Sequence, residues 1–127
     1  QVDGLAIGED STLAHLRGTL TSFFSELMKG TVEIRFRPSF FPFTEPSVEV
    51  DMRVTSPEAP EKLRGRWIEI MGAGMLHPNV LKNYGIDPAK YRGFAFGGGL
   101  DRLAMLRWGI DDVRLMHSAD LRFVNQF

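Results

Sequence analysis

The sequence predicts an α+β domain built on an antiparallel sheet. Three observations lead there. Two segments alternate strictly between apolar and charged residues: Val32, Ile34 and Phe36 against Glu33, Arg35 and Arg37, and Val48, Val50, Met52 and Val54 against Glu49, Asp51 and Arg53. Leu13, Leu16, Leu20, Phe23, Phe24 and Leu27 recur at helical steps. The order of elements is strand, helix, several strands, then helices, which favours an antiparallel sheet over a doubly wound parallel one.

Each element has its own signal. Gln1 to Gly8 carries Val2, Leu5 and Ile7 without helical spacing and reads as a short strand. The first helix is expected to be capped near Asp10 or Ser11 and stopped at Gly30. A strand over 31–37 follows. Pro38 to Ser47 holds three prolines, which fix φ and remove backbone donors, so a rigid irregular loop or a pair of bulged edges is expected. The strand over 48–54 leads to a polar turn over 56–66, the best candidate for a solvent hairpin. Trp67 to Met71 reads as a strand. Pro78 opens a short helix ending at Gly85, and Pro88 opens a further turn. Gly93 to Gly97 is a strand, Leu100 to Trp108 a helix stopped by Gly109, and Asp111 and Asp120 each start a last short helical piece.

Composition narrows the function. The chain has 127 residues, 15 basic against 16 acidic, for a formal charge of −1. That excludes a polybasic nucleic-acid-binding tail and an acidic disordered chain. With no cysteine there is no disulfide framework, no thiolate nucleophile and no cysteine metal site. No apolar run approaches the ~20 residues that span a bilayer, and no signal peptide is read at the start, so the expected compartment is the cytoplasm. Because Gln1 stands first with the apolar pattern already running, the chain is expected to begin inside a larger one.

Three groups of residues bear on chemistry. In Gly93 to Arg102, a strand with small Ala95 runs into Gly97, Gly98 and Gly99 and then a helix bearing Arg102. Glycines admit a ligand to the backbone, a helix N-terminus attracts phosphate, and an arginine adds a permanent charge. The spacing fits neither a dinucleotide fingerprint nor a phosphate loop ending in Lys-Ser/Thr. The alternative is a packed strand-to-helix turn with Arg102 paired to Asp101 or Asp112. Phe40, Phe41 and Phe43, braced by prolines, wall an apolar ligand site or join the core. Glu45 either binds a hard cation or is simply solvated. Glu49, Asp51 and Glu69, answered by Arg35 and Arg37, form either a charged site floor or cross-strand ion pairs. His15, His77 and His117 lack zinc spacing and read as surface or capping residues. No serine sits in a nucleophile elbow.

Four strings then carry a resemblance: RFRPSFFPFTEPSVEVD (35–51), GAGMLHPNVL (72–81), GFAFGGGLDRLAMLRWGI (93–110) and DLRFVNQF (120–127), and QVDGL (1–5) also fits. Together they resemble the alpha subunits of phenylalanyl-tRNA synthetases of bacterial or organellar type, weakest between Ser56 and Arg66. The resemblance implies a class II aminoacyl-tRNA synthetase-like fold, an antiparallel sheet flanked by helices. Residues 1–127 would be a single partial catalytic domain, with the first class II motif and the start of the second lying before Gln1. It implies activation of L-phenylalanine by Mg2+-ATP to phenylalanyl-adenylate and transfer to tRNA(Phe), in an alpha2beta2 heterotetramer with the beta subunit.

Residue by residue, the resemblance implies that Arg102 faces the ATP phosphates beside Gly97, Gly98 and Gly99. Phe41 and Phe43 would surround the substrate ring, with Ala95 at the pocket bottom. Gln1 and Asp3 would hold the substrate amino group, Asp3 being one methylene shorter than the family's usual glutamate. Glu45 would be a magnesium-associated acid shared with the beta subunit. Such chemistry needs no covalent nucleophile, only positioning and charge stabilisation. The fragment alone is then expected to be inactive. The alternatives are a synthetase-derived binding or regulatory module and an apolar-ligand-binding domain.

Overall fold

The alternation along the middle of the chain becomes two long strands of one sheet. The computed structural model describes residues 1–29, 32–57 and 61–127. Five strands pair in the order β1-β5-β4-β3-β2. They are β1 (Val2–Gly8), β2 (Val32–Phe41), β3 (Thr44–Val54), β4 (Trp67–Leu76) and β5 (Arg92–Gly98). Every pairing between these strands is antiparallel, so the α+β expectation holds.

The helices close one face of the sheet. Helix α1 (Leu13–Leu27) buries Leu16, Leu20 and Phe24, and α3 (Leu100–Trp108) buries Leu103 and Leu106. They pack on Val48, Val50, Met52 and Val54 of β3 and on Ile70, Met71 and Ala73 of β4, forming a single core cluster. Three short pieces complete the fold: α2 (Pro78–Asn83), a 3-10 helix (Val113–His117) and α4 (Leu121–Val124).

Several boundaries differ from expectation. The cap of α1 is Thr12 rather than Asp10 or Ser11. Its hydroxyl accepts from the His15 backbone N–H at 3.2 Å, three residues on, where the first turn leaves a donor free. Gly30, expected to stop that helix, and Thr31 lie outside the described residues. Pro38 to Ser47 is no irregular loop. β2 runs on to Phe41 and β3 begins at Thr44, leaving a turn at Pro42 and Phe43, and the pairing shifts register between Ser39 and Phe41. The bulged-edge alternative therefore applies. Pro38 is tolerated because β2 is an outer strand of the sheet.

β4 continues past Met71 to Leu76. The segment over 56–66 joins β3 to β4, with Leu63 buried and residues 58–60 outside the described residues. Helix α2 ends at Asn83, before Gly85, whose φ of 72° is left-handed. His77 caps it by accepting from the Asn79 N–H at 3.1 Å. Asp112, not Asp111, caps the 3-10 helix, and Asp120 caps α4. Each cap carboxylate also holds the arginine two residues on, and Arg114 keeps the Asp112 carboxyl down at about 2.

Candidate active site

The face of the sheet away from the α1 and α3 packing carries the cavity. Over 48–54 of β3, Glu49, Asp51 and Arg53 alternate with the core residues Val48, Val50, Met52 and Val54. Register carries this face across the sheet: Arg37 lies opposite Glu49, Glu49 opposite Gly72, Gly72 opposite Gly97, and Gly97 opposite Asp3. Residues far apart in the chain thus lie in one row. A cavity of about 620 Å³ opens over that row. Gln1, Asp3, Phe41, Phe43, Ala95 and Gly97 all line it.

One wall is aromatic. The Phe41 and Phe43 rings stack with centroids 5.8 Å apart and planes 12° from parallel. A hydroxyl relay holds their hairpin: Ser47 Oγ accepts from the Phe41 N–H at 3.1 Å and donates to the Thr44 carbonyl at 2.9 Å. Thr44 Oγ1 lies 2.7 Å from the same Ser47 Oγ, and both residues are buried. Phe40 points elsewhere, 76% exposed and outside the cavity. The opposite wall is polar: a Cβ on Gly97 would overlap Asp3 Oδ1, so the Asp3 carboxylate lies in the space that glycine leaves.

Glu49 and Glu69 give the cavity a charged side, backed by an ion-pair cluster on the same face of the sheet that does not itself line the cavity. In that cluster Asp51 is 1% exposed. It accepts from Arg35 Nε at 2.7 Å and from Arg37 through Nε at 2.5 Å and Nη2 at 2.9 Å. These bonds, Arg37's first, hold its carboxyl below the usual range against the opposing effect of burial. Arg37 also reaches Glu49 at 2.8 Å, and Arg35 stacks 4.4 Å over Trp67. Cross-strand ion pairing is therefore real here, and Glu49 and Glu69 line the cavity as well.

Arg102 pairs with neither Asp101 nor Asp112. Its Nη1 donates to the Glu69 carbonyl at 2.6 Å and lies 3.5 Å from Glu69 Oε1. Asp101 instead holds His117 at 3.1 Å. Register explains the difference: β4 brings Glu69 beside the start of α3. The arginine side chain is half exposed beside that start, where Gly99 caps α3 with no side-chain bond to the first backbone N–H groups. The three glycines separate. Gly97 lines the cavity. Gly98 is buried facing Ile70 and Met71, and Gly99 begins the helix.

Glu45 stands apart from the rings. It lines a second cavity of about 350 Å³ with Ser11, Thr12 and Arg92 rather than the one with the rings. Among the described residues no three His, Cys, Asp or Glu side chains gather where they would hold a metal. Sequence reasoning missed Thr44, Ser47 and Gly72, which reach the cavity or hold its wall. The β2–β3 hairpin brings Thr44 and Ser47 to the wall, and the pairing of β3 with β4 brings Gly72.

Comparison with known proteins identifies the family. The family model described as the tRNA synthetases class II core domain (F) matches residues 1–127. The phenylalanine–tRNA ligase alpha subunit of Acinetobacter baylyi is 50% identical over 127 residues, all of this chain and 36% of the relative. That of Cupriavidus taiwanensis is 52% identical over 128 residues, again all of this chain and 35% of the relative. That of Photobacterium profundum is 50% identical over 127 residues and 36% of its length. The chain thus spans about a third of the length of the curated relatives it matches.

Proposed function

This chain belongs to the family of class II tRNA synthetase core domains, and from that premise we propose that it forms the amino-acid and ATP site of a phenylalanine–tRNA ligase. The observation that carries the reading is the shared cavity. An aromatic wall, a small floor at Ala95 and Gly97, and a carboxylate at Asp3 face one space, and Arg102 adjoins it through Glu69.

Each part has a physical task. Phe41 and Phe43 take the substrate ring by apolar and stacking contact, and Ala95 leaves depth for it. Asp3 and Gln1 take the ammonium group. The substrate carboxylate then attacks the α-phosphate of ATP, forming the acyl phosphate bond of phenylalanyl-adenylate and releasing pyrophosphate. Arg102 and the free N–H groups at the start of α3 meet the phosphate charge. Neither contact changes protonation during the reaction, so the work is positioning and charge stabilisation. Transfer to the 3′ end of tRNA(Phe) follows, and the partner subunit completes the assembly. The near-neutral charge of this chain leaves the main tRNA surface elsewhere.

A magnesium ion accompanies ATP in chemistry of this kind, neutralising phosphate charge. Glu45 alone does not make a site for it. Glu45 would donate one oxygen to such an ion, the other donors coming from groups outside this chain.

The test is ATP–pyrophosphate exchange by the full-length protein with its partner subunit. Exchange that depends on L-phenylalanine and is not supported by leucine is expected. Phenylalanine binding without exchange would move the reading to a binding module, and no phenylalanine dependence would end it.

A further inference from the structure

Gly72 sits mid-strand in β4, where a glycine weakens a sheet and asks for a reason. Its backbone is not that reason. The left-handed glycines among the described residues are Gly65, Gly85 and Gly109, and Gly72 has angles that any residue adopts. Space is the reason. A Cβ built on Gly72 would lie 2.7 Å from Phe41 Cζ and 3.0 Å from Cε2. The Phe41 ring therefore rests on the bare backbone of β4.

The ring is held on two further sides. Its backbone N–H is tied to buried Ser47, and the Phe43 ring stacks on it at 5.8 Å. Carbon atoms pack at about 3.5–4.0 Å, so a methyl at Gly72 would push the ring out by about 1 Å. The open direction is the cavity, which both residues line.

We propose that Gly72 is a specificity-determining residue that acts through Phe41. By seating the ring against β4, it sets the width of the slot that takes the substrate's aromatic ring. Its register partner Gly97 does the same for the opposite wall by leaving room for Asp3, so paired glycines fix the span between ring and carboxylate. The inference rests on the functional reading above and adds a residue that the resemblance did not assign.

The test uses the full-length protein with its partner subunit and phenylalanine-dependent pyrophosphate exchange. Gly72→Ala is expected to raise KM for phenylalanine about tenfold while kcat and KM for ATP stay within about twofold. Adding Phe41→Leu should then cancel the effect, leaving the double variant within about twofold of Phe41→Leu alone. A KM within about twofold of wild type for Gly72→Ala, or effects that multiply in the double variant, would overturn the proposal. Should Gly72→Ala not assemble, the same substitution in the Phe41→Leu background decides alone. An equal KM supports the seat, and a further tenfold rise, on the order of one more decade, overturns it. Wild-type protein without phenylalanine-dependent exchange would instead sink the functional reading, and this inference with it.

Discussion

The two faces of β3 belong to one strand and follow different rules. Val50 and Met52 are wholly buried on the helix side, held by area and shape. Asp51, between them in sequence, is just as buried on the cavity side but is held by two arginines. The core face is cohesive wherever the side chains are apolar and fit. The site face is ordered only where each polar group meets a specific partner from another strand. One face is robust in kind and the other in detail, and the function rests on the second.

The largest expected effects lie at one point on each face. Phe24→Ala empties a fully buried site under α1 and should cost the full-length protein about 3–5 kcal/mol in denaturant unfolding. A loss under about 1 kcal/mol would mean that the helix packs loosely and that the contrast drawn here is false. Arg102→Ala should leave stability nearly intact yet lower phenylalanine-dependent pyrophosphate exchange by about 10²–10³. Unchanged exchange would remove Arg102 from the site.

Asp51 sharpens the comparison at intermediate size. Asp51→Asn leaves two guanidinium groups facing a neutral amide. The expected loss is about 2 kcal/mol, below the figure for a fully buried pair because Arg35 and Arg37 stay 44% and 41% exposed. The same residue sets a pH dependence. Its folded pKa is depressed, so its contribution is present above the ordinary carboxylate value of about 3.9 and is lost as pH falls through the folded value. Wild-type stability should therefore drop in acid more steeply than that of Asp51→Asn, and parallel curves would refute the assignment.

The smallest effect is expected at Arg53. It pairs with Glu33 and lies 4.7 Å from the Trp67 ring on the exposed outer part of the sheet. Arg53→Ala should cost under about 1 kcal/mol.

The helix-side core was legible because its signals are local: the alternation in β2 and β3 and the periodicity of α1 stand in single segments. What was not legible depends on neighbours. The run through Pro38 reads as a break until β2 proves to be an outer strand. Gly72, Ala73 and Gly74 read as a strand end until Phe41 and Thr44 from the preceding hairpin fill the space that the glycines leave. Arg102 offered Asp101 and Asp112 as nearby partners, and only the placement of β4 beside α3 brings Glu69 to it. The glycine run with Arg102, the phenylalanines and Glu45 stood out by residue type, whereas Gln1 and Asp3 and the individual roles came from the resemblance. Their gathering in one cavity follows from the pairing of β1, β4 and β5, which no local pattern encodes. Glu45, Gly98 and Gly99 did not join them, and Arg102 adjoins the cavity only through Glu69.

The most direct test of the shared cavity is a crystal structure of the full-length protein, with its partner subunit, bound to a non-hydrolysable analogue of phenylalanyl-adenylate. The phenyl ring is predicted to lie between the Phe41–Phe43 wall and Ala95, with the ammonium group at Asp3 and the phosphate mimic within reach of Arg102. An analogue seated outside this cavity, or with its ring and phosphate mimic exchanged, would contradict the account.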